Sequence, residues 1–238
     1  NIVINYKFGS GSKHSGETAY EQYAASISAG QAFMEKVTLP VITGYAAYLE
    51  GETTPITEYQ FNIESVNKNI SVDIVYQPAT VNYTVKYFFQ NIEDDKYTLD
   101  DSKTLNTKGT TEQVVPDTLA VAVDGFTSLY YERPEIAADG STVVEIYYDR
   151  NYYLLSLDLD GGYGAEPMYA RYGTDINIAD PTRAGYRFEG WSPALPDKMP
   201  AENTKCTAQW KADGTAKVTV VIWGENADDE KYSFISDA

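Results

Sequence analysis

The chain carries one cysteine and one histidine in 238 residues, and it is poor in cations. A lone thiol, Cys206, excludes an intrachain disulfide, so apolar cores must hold the fold together. A lone imidazole, His14, excludes a multi-histidine metal centre. Lys and Arg number 18 against 35 Asp and Glu, a formal net charge of −17. Such a field repels nucleic acid and anionic membrane, because binding phosphate needs clustered cations. No apolar run reaches transmembrane length. Neither a signal peptide nor an anchor is present, and Asn1 and Ala238 read as the cut edges of a longer protein. Low-complexity sequence is missing too, so no segment is expected to be disordered.

Aromatic residues are abundant: 21 Tyr, 8 Phe and 3 Trp. They favour strands, and helical periodicity is weak throughout. Residues 17–29 are the one stretch with helical spacing, through Tyr20, Tyr23 and Ile27 beside Ala19, Ala24 and Ala25. A strand is expected there instead, because the matching stretch 101–108 is short and Thr-rich.

Three landmarks recur in order, which is the signature of internal repeats. The first is an alternating opening strand: 2–8, 83–89 and 154–159. The second is a Gly-aromatic pair: Gly44-Tyr45, Gly125-Phe126 and Gly185-Tyr186. Tyr6 to Gly44 and Tyr87 to Gly125 both span 38 positions. Gly30, Gly109 and Gly173 lie upstream of these pairs, where a positive φ is expected. The third is a closing strand ending in an aromatic: 70–76, 142–148 and 206–210. Residues 219–226 repeat the pattern of 84–91, and Asp229-Glu230-Lys231-Tyr232 follows as Asp94-Asp95-Lys96-Tyr97 does. These landmarks predict units at 1–80, 81–152 and 153–212, with the start of a truncated fourth at 213–238. The joins are short, so an elongated, semi-rigid array of small, mainly β domains is expected.

The third unit bears Leu157-Asp158-Leu159-Asp160-Gly161-Gly162, then Pro181-Thr182-Arg183-Ala184-Gly185-Tyr186-Arg187-Phe188-Glu189-Gly190-Trp191, then Thr204-Lys205-Cys206-Thr207-Ala208-Gln209-Trp210. It resembles the Listeria–Bacteroides repeat, also called the internalin B-repeat, departing from it at Ser192, where an aromatic is common. Residues 1–152 are similar to MucBP-like (mucin-binding-protein) repeats, through their Val-x-Tyr openings, the Gly30 and Gly109 turns, the 37–45 stretch and their closing strands. Both resemblances imply β-grasp-like units, a small mixed sheet over a short helix or turn. They imply extracellular, cell-wall-attached proteins of Gram-positive bacteria, used as stalks or in adhesion, without catalysis. Host glycoproteins or mucin glycans are the implied partners. In the third unit, Tyr186, Phe188, Trp191 and Trp210 are expected to form one aromatic core.

No catalytic, cofactor or metal residue is assigned. Gly9–Gly16 lacks the Walker spacing and is expected to be a flexible hairpin loop. His14 with neighbouring serines and Asp73 or Glu64 lacks the support a triad requires. Cys206 lies in a closing strand without a basic partner and reads as a structural thiol. Asp158 with Asp160, Glu93-Asp94-Asp95, and Asp228 with Asp229 and Glu230 offer hard oxygens without EF-hand spacing. A solvated acidic face is expected, with Asp158 and Asp160 on one side of a strand. Tyr130, Tyr131, Tyr152, Tyr153, Tyr163, Tyr169 and Tyr172 exceed what small cores bury. They could cover joins or contact a glycan. An intramolecular Lys–Asn isopeptide bond would need Lys, Asn and an acid together in a core. The expected function is that of a spacer with adhesive contacts; the alternatives are a carbohydrate-binding module or an accessory array of a secreted glycan-degrading enzyme.

Overall fold

The structure, a computed structural model, describes residues 1–214 and 219–237. Residues 215–218 and Ala238, part of the expected fourth unit, lie outside them. The fold is mainly β, in several small mixed sheets, and no α-helix occurs among the described residues. The chain divides into two compact units, Asn1–Asp149 and Arg150–Ala238.

The first sheet draws on β1 (Ile2–Phe8), β2 (Thr18–Ala25), β4 (Tyr45–Leu49) and β6 (Ile70–Pro78). Its order is β2-β1-β6-β4. β1 runs antiparallel to β2 and parallel to β6, with Tyr6 opposite Ile74. Alternation along β1 decides the faces. Ile2, Ile4 and Tyr6 are buried, and Asn5 and Lys7 point the other way. Each fully buried Ile contributes about 1.5–3 kcal/mol. No helix covers the inner face. A ribbon of β3 (Lys36–Thr38) and β5 (Glu58–Gln60) accompanies it, and Phe33, Val37, Leu39, Phe61 and Val66 join the same core. Residues 17–29 contain β2, so the strand expected there forms.

The second sheet comprises β7 (Thr80–Gln90), β8 (Tyr97–Leu99), β9 (Leu105–Thr110), β10 (Phe126–Ser128) and β11 (Val143–Arg150). β7 is long enough to take β9 along its first half and β8 along its second, both antiparallel. β11 lies parallel on its other side. One 3-10 turn, Asp101–Lys103, is capped by the Asp100 carboxylate. Tyr83, Val85, Tyr87, Val144, Ile146 and Tyr148 form the core, with Val115, Leu119 and Ile136 from the covering segments.

The third sheet comprises β12 (Tyr152–Asp158), β13 (Met168–Arg171), β14 (Tyr186–Ser192) and β15 (Thr204–Ala212), in the order β13-β12-β15-β14. β12 is antiparallel to β13 and parallel to β15. Leu155, Met199 and Cys206 are its buried centre. The four-ring core expected here forms only in part. A bulge at Gly190 (φ 125°) brings Trp191 to Phe188, 5.5 Å between ring centres, and Phe188 lies 5.5 Å from Trp210. Tyr186 stays outside, where the Arg183 guanidinium lies 4.1 Å from its ring centre.

All three sheets share one strand order: the first strand is central, flanked by the second antiparallel and by the last parallel. A hairpin of β16 (Val221–Glu225) and β17 (Tyr232–Asp237) follows as a separate two-stranded sheet. Of the three upstream glycines, Gly30 and Gly173 take the positive φ expected of them, and Gly109 does not. Gly109 lies inside β9, where a Cβ would come within 2.3 Å of Ile136 Cδ1. It marks a close approach within the strand rather than a turn.

Candidate functional site

The densest polar cluster joins the first sheet to the second, inside the compact unit Asn1–Asp149. β6 ends at Pro78 and β7 begins at Thr80, so Ala79 alone links the sheets. The Ala79 amide donates to the Gly44 carbonyl (2.8 Å), and the Thr111 amide donates to the Ala79 carbonyl (3.0 Å). Segment 9–16 is folded into turns closed by Ser12 N to Gly9 O (3.0 Å) and Gly16 N to Phe8 O (2.9 Å), not left as an open loop. Those turns present Ser12 Oγ, the Lys13 amide and His14 to one carboxylate, Glu112.

Glu112 follows β9 with φ 68°, a conformation few non-glycine residues adopt. Its side chain is 11% exposed. Ser12 Oγ donates to Oε1 (3.1 Å), the Lys13 amide donates to Oε2 (2.9 Å), and the Tyr45 hydroxyl also donates to Oε1. His14 Nε2 lies 3.8 Å away. Burial works against the charge, but the bonds from Tyr45, Lys13 and Ser12 outweigh it and hold the Glu112 carboxyl below its ordinary value. Burial and the Glu112 partner push the Tyr45 phenol up. Beside this network Lys13 Nζ meets Glu135 at 2.5 Å. Gly44, at φ 77°, packs so closely that a Cβ would lie 2.5 Å from Ala138 Cβ. The strain at Glu112 and the missing side chain at Gly44 both serve this contact.

His14 is thus placed on Glu17 (Nδ1 to Oε2, 3.2 Å), Glu112 and the Phe8 ring. Asp73 belongs to another cluster and Glu64 is exposed, so the triad considered from sequence is not assembled. Cys206 is fully buried, and burial pushes its thiol up. The acidic runs are structural. The Asp94 carboxylate accepts from Asn91 Nδ2 and the Lys96 amide, both at 2.9 Å, and Asp229 does the same for Asn226 (2.8 Å) and Lys231 (3.1 Å). Asp158 and Asp160 do not share a strand face. β12 ends at Asp158, and Asp160 turns away at φ 45°. Asp158 pairs with Lys205 (3.0 Å) and Asp160 with Arg183 (3.1 Å). No group of three or more His, Cys, Asp or Glu suited to a metal occurs among the described residues.

The surface tyrosines separate into two classes. Tyr131, Tyr153 and Tyr172 are half-buried; Tyr131 donates to the Pro116 carbonyl (3.1 Å). Tyr130, Tyr163, Tyr152 and Tyr169 are exposed. Tyr152 (49% exposed) and Tyr169 (69%) stack, 5.3 Å between centres and 24° between planes. The Arg171 guanidinium lies 5.6 Å from the Tyr152 ring centre, and exposed Leu154 sits opposite Tyr169 in the ladder. This is an aromatic platform at the β12–β13 edge. A separate apolar cleft of about 360 Å³ opens in the first sheet's region among Leu39, Val41, Ile42, Ala47, Ile56 and Tyr76; no carboxylate, amine, thiol or imidazole lines it.

A Lys, an Asn and an acid do come together, on the outer face of the first sheet. Lys7 Nζ lies 3.0 Å from Asp73 and 3.2 Å from Glu50, and Asn5 Nδ2 donates to Asp73 (2.6 Å). Lys7 and Asp73 are about one-third exposed rather than in a core. The Asn5 and Lys7 bonds pull the Asp73 carboxyl down, and the Asp73 and Glu50 bonds push the Lys7 ammonium up. This is the chemistry of a stable ion pair.

The joint residue Glu112 escaped the sequence, as did its donor Tyr45. The only available signal was the Gly44-Tyr45 landmark, which marks the position but not the partner. No family model and no curated protein matches the chain. A solved structure titled "The Bacillus anthracis TIE protein" is similar to it with a TM-score of 0.34 and 10% identity, over 88% of this chain and 50% of that one. The chain spans about half the length of that structure, and a likeness at this score carries no argument about fold or role.

Proposed function

We propose that this chain is a non-catalytic, extracellular repeat region of a bacterial cell-surface protein, acting as a stalk or spacer with adhesive contacts. In this reading residues 1–80 and 81–152 are MucBP-like β-grasp units, 153–212 is an internalin B-repeat-like unit, and 213–238 opens a fourth. The shared strand order of the three sheets and the sequence landmarks support it. The observation that carries it is the joint at Ala79. A one-residue link, a shared carboxylate and a glycine-tight contact are what a spacer needs to resist bending. The high negative charge suits an exposed, soluble array. The test is a spin-label distance measurement across the joint in the full chain. A narrow distribution is expected, and one as broad as a flexible linker gives would sink the stalk reading.

The Tyr152–Tyr169 platform favours a second reading, a module that contacts mucin-type glycans. Sugar rings stack on exposed aromatic faces, and the Tyr152–Tyr169 pair presents such faces. A glycan array with a mucin pull-down decides it. Saturable binding lost in Y152A and Y169A supports the module; silence in both assays leaves the spacer alone.

A further inference from the structure

The hairpin Val221–Asp237 repeats the turn of the second sheet's β7–β8 hairpin and the three ladder pairs beside it. In the second sheet the Asn91 amide donates to the Lys96 carbonyl (2.8 Å), and the Asp94 carboxylate closes the turn. In the hairpin the Asn226 amide donates to the Lys231 carbonyl (2.7 Å), and the Asp229 carboxylate closes it likewise. The ladders agree as well. Gln90 faces Tyr97 and Phe88 faces Leu99; Glu225 faces Tyr232 and Trp223 faces Phe234. β16 therefore stands where the second half of β7 stands.

The environments of the two strands differ: β7 also takes β9 along its first half, the β16 ladder shifts register between Ile222 and Trp223, and the parallel neighbour of β7 has no counterpart among the described residues. β7 has β11 parallel on its other side, with Tyr87 opposite Ile146 and Phe88 opposite Tyr147. Phe88 and Tyr147 stack at 4.8 Å and 14°. Among the described residues β16 pairs with β17 alone. Val221, Ile222, Trp223, Tyr232, Phe234 and Ile235 are all exposed, Trp223 at 58%. A two-stranded ribbon with its apolar residues in water is marginal by itself, and an open apolar edge is a template for another strand.

We propose that the free edge of β16 is an acceptor site for an extended strand of the Val-x-Ile-x-Tyr type, running parallel to it. The three observed sheets define its direction and the first two its sequence type, since the third closing strand carries Cys206, Ala208 and Trp210 instead. Each first strand takes a parallel last strand, and the first two closing strands carry Val72, Ile74 and Tyr76, or Val144, Ile146 and Tyr148, at alternate positions. By the equivalence with β7, the donor's Ile falls opposite Ile222, and the next residue, a tyrosine when the donor follows β11, stacks on Trp223. Recognition is strand addition: main-chain bonds supply affinity and alternate side chains supply register. The inference rests on reading the chain as a series of related units, but not on its mechanical or adhesive role.

The probe is a synthetic peptide copying Val143–Arg150, added to the full chain, with amide exchange as the readout. Slowing of exchange by about tenfold or more is expected at Val221–Glu225, saturating with peptide. A peptide with the Ile146→Pro change is expected to give none, because proline removes a ladder donor. The W223A variant of the chain is expected to weaken the effect without altering exchange in the three sheets. Absence of protection overturns the proposal, as does protection confined to Tyr232–Asp237. Concentration-dependent dimers that shield β16 before peptide is added also overturn it, since the occupant is then a second copy. None of these outcomes alters the distance distribution at the Ala79 joint or the glycan assay, so a failure here is distinguishable from a failure of the spacer reading.

Discussion

Tyr45 and Glu112, 67 positions apart, meet as phenol and carboxylate at the passage from the first sheet to the second. The bond is charge-assisted and part-buried, so it outweighs a surface contact. Replacing Glu112 by Gln keeps the shape and removes the charge. E112Q is expected to cost about 1–3 kcal/mol, as is usual when buried partners lose a charged acceptor. In a double-mutant cycle with Y45F, the two losses are expected to be non-additive. Urea unfolding checks this, with the E112Q midpoint expected at lower urea than that of the unchanged chain.

The same carboxylate sets an acid dependence. Glu112 titrates below its ordinary value of 4.5 in the folded chain. A depressed folded pKa contributes stability that is fully present above the unfolded value and is lost as pH falls through the folded one. Asp73 and Asp158 are lowered too, from 3.8. Stability from these groups is therefore expected to be level near neutrality and to fall below about pH 4.5. Thermal unfolding from pH 7 to 3 measures it. E112Q should show a shallower acid limb, and an unchanged limb would remove Glu112 from the account.

Gly44→Ala strikes the joint from its backbone side. At φ 77° an alanine is strained, and its Cβ would meet Ala138 at 2.5 Å. A loss of more than about 1 kcal/mol is expected, with a broader distance distribution across Ala79. Gly51→Ala is the comparison: its φ of 87° imposes similar strain, but nothing lies within 4 Å of the added Cβ. G51A should therefore lower stability without loosening the joint.

How much of this was legible depends on range. The alternation of Ile2, Ile4 and Tyr6 is a local, period-2 signal, and it marks the inner face of β1 directly. The strand at 18–25 could be reached by matching it to 101–108, though β9 begins only at Leu105. Glu112 could not be found this way. Its importance comes from partners about 100 positions away and from a left-handed φ in a residue type that gives no such hint. Gly109 misled for the opposite reason: a glycine that usually signals a turn here lies within β9, close against the tip of the Ile136 side chain. Asp160 looked like the next outward residue of a strand, but the strand had already ended.

Cys206 offers a clean report on the third sheet. The thiol is fully buried beside Leu155 and Met199, and burial pushes its pKa up, so thiolate is scarce at neutral pH. Alkylation of the native chain is expected to be slow and to become fast only in denaturant. The rate against urea concentration then gives the opening free energy of the sheet without a mutation. Fast labelling in native buffer would mean that β15 opens locally or that the core around Met199 is looser than described.

The Lys7–Asp73 pair invites comparison with a covalent cross-link, and its physics argues against one. Amide formation requires an uncharged amine to attack an uncharged carboxyl, with loss of water. Here Asp73 and Glu50 stabilise the ammonium, and Asn5 and Lys7 stabilise the carboxylate. Partial exposure adds solvation to both charges. The chain is therefore expected to have its full sequence mass under denaturing conditions, with no deficit of one ammonia, which a Lys–Asn bond would leave, or of one water, which a Lys7–Asp73 bond would leave. A deficit that disappears in K7R would show that the pair reacts despite its charge, and would recast the outer face of the first sheet as a site of bond formation. A full mass, together with a cross-peak between Lys7 and Asp73 that weakens as salt is raised, fits a screened ion pair.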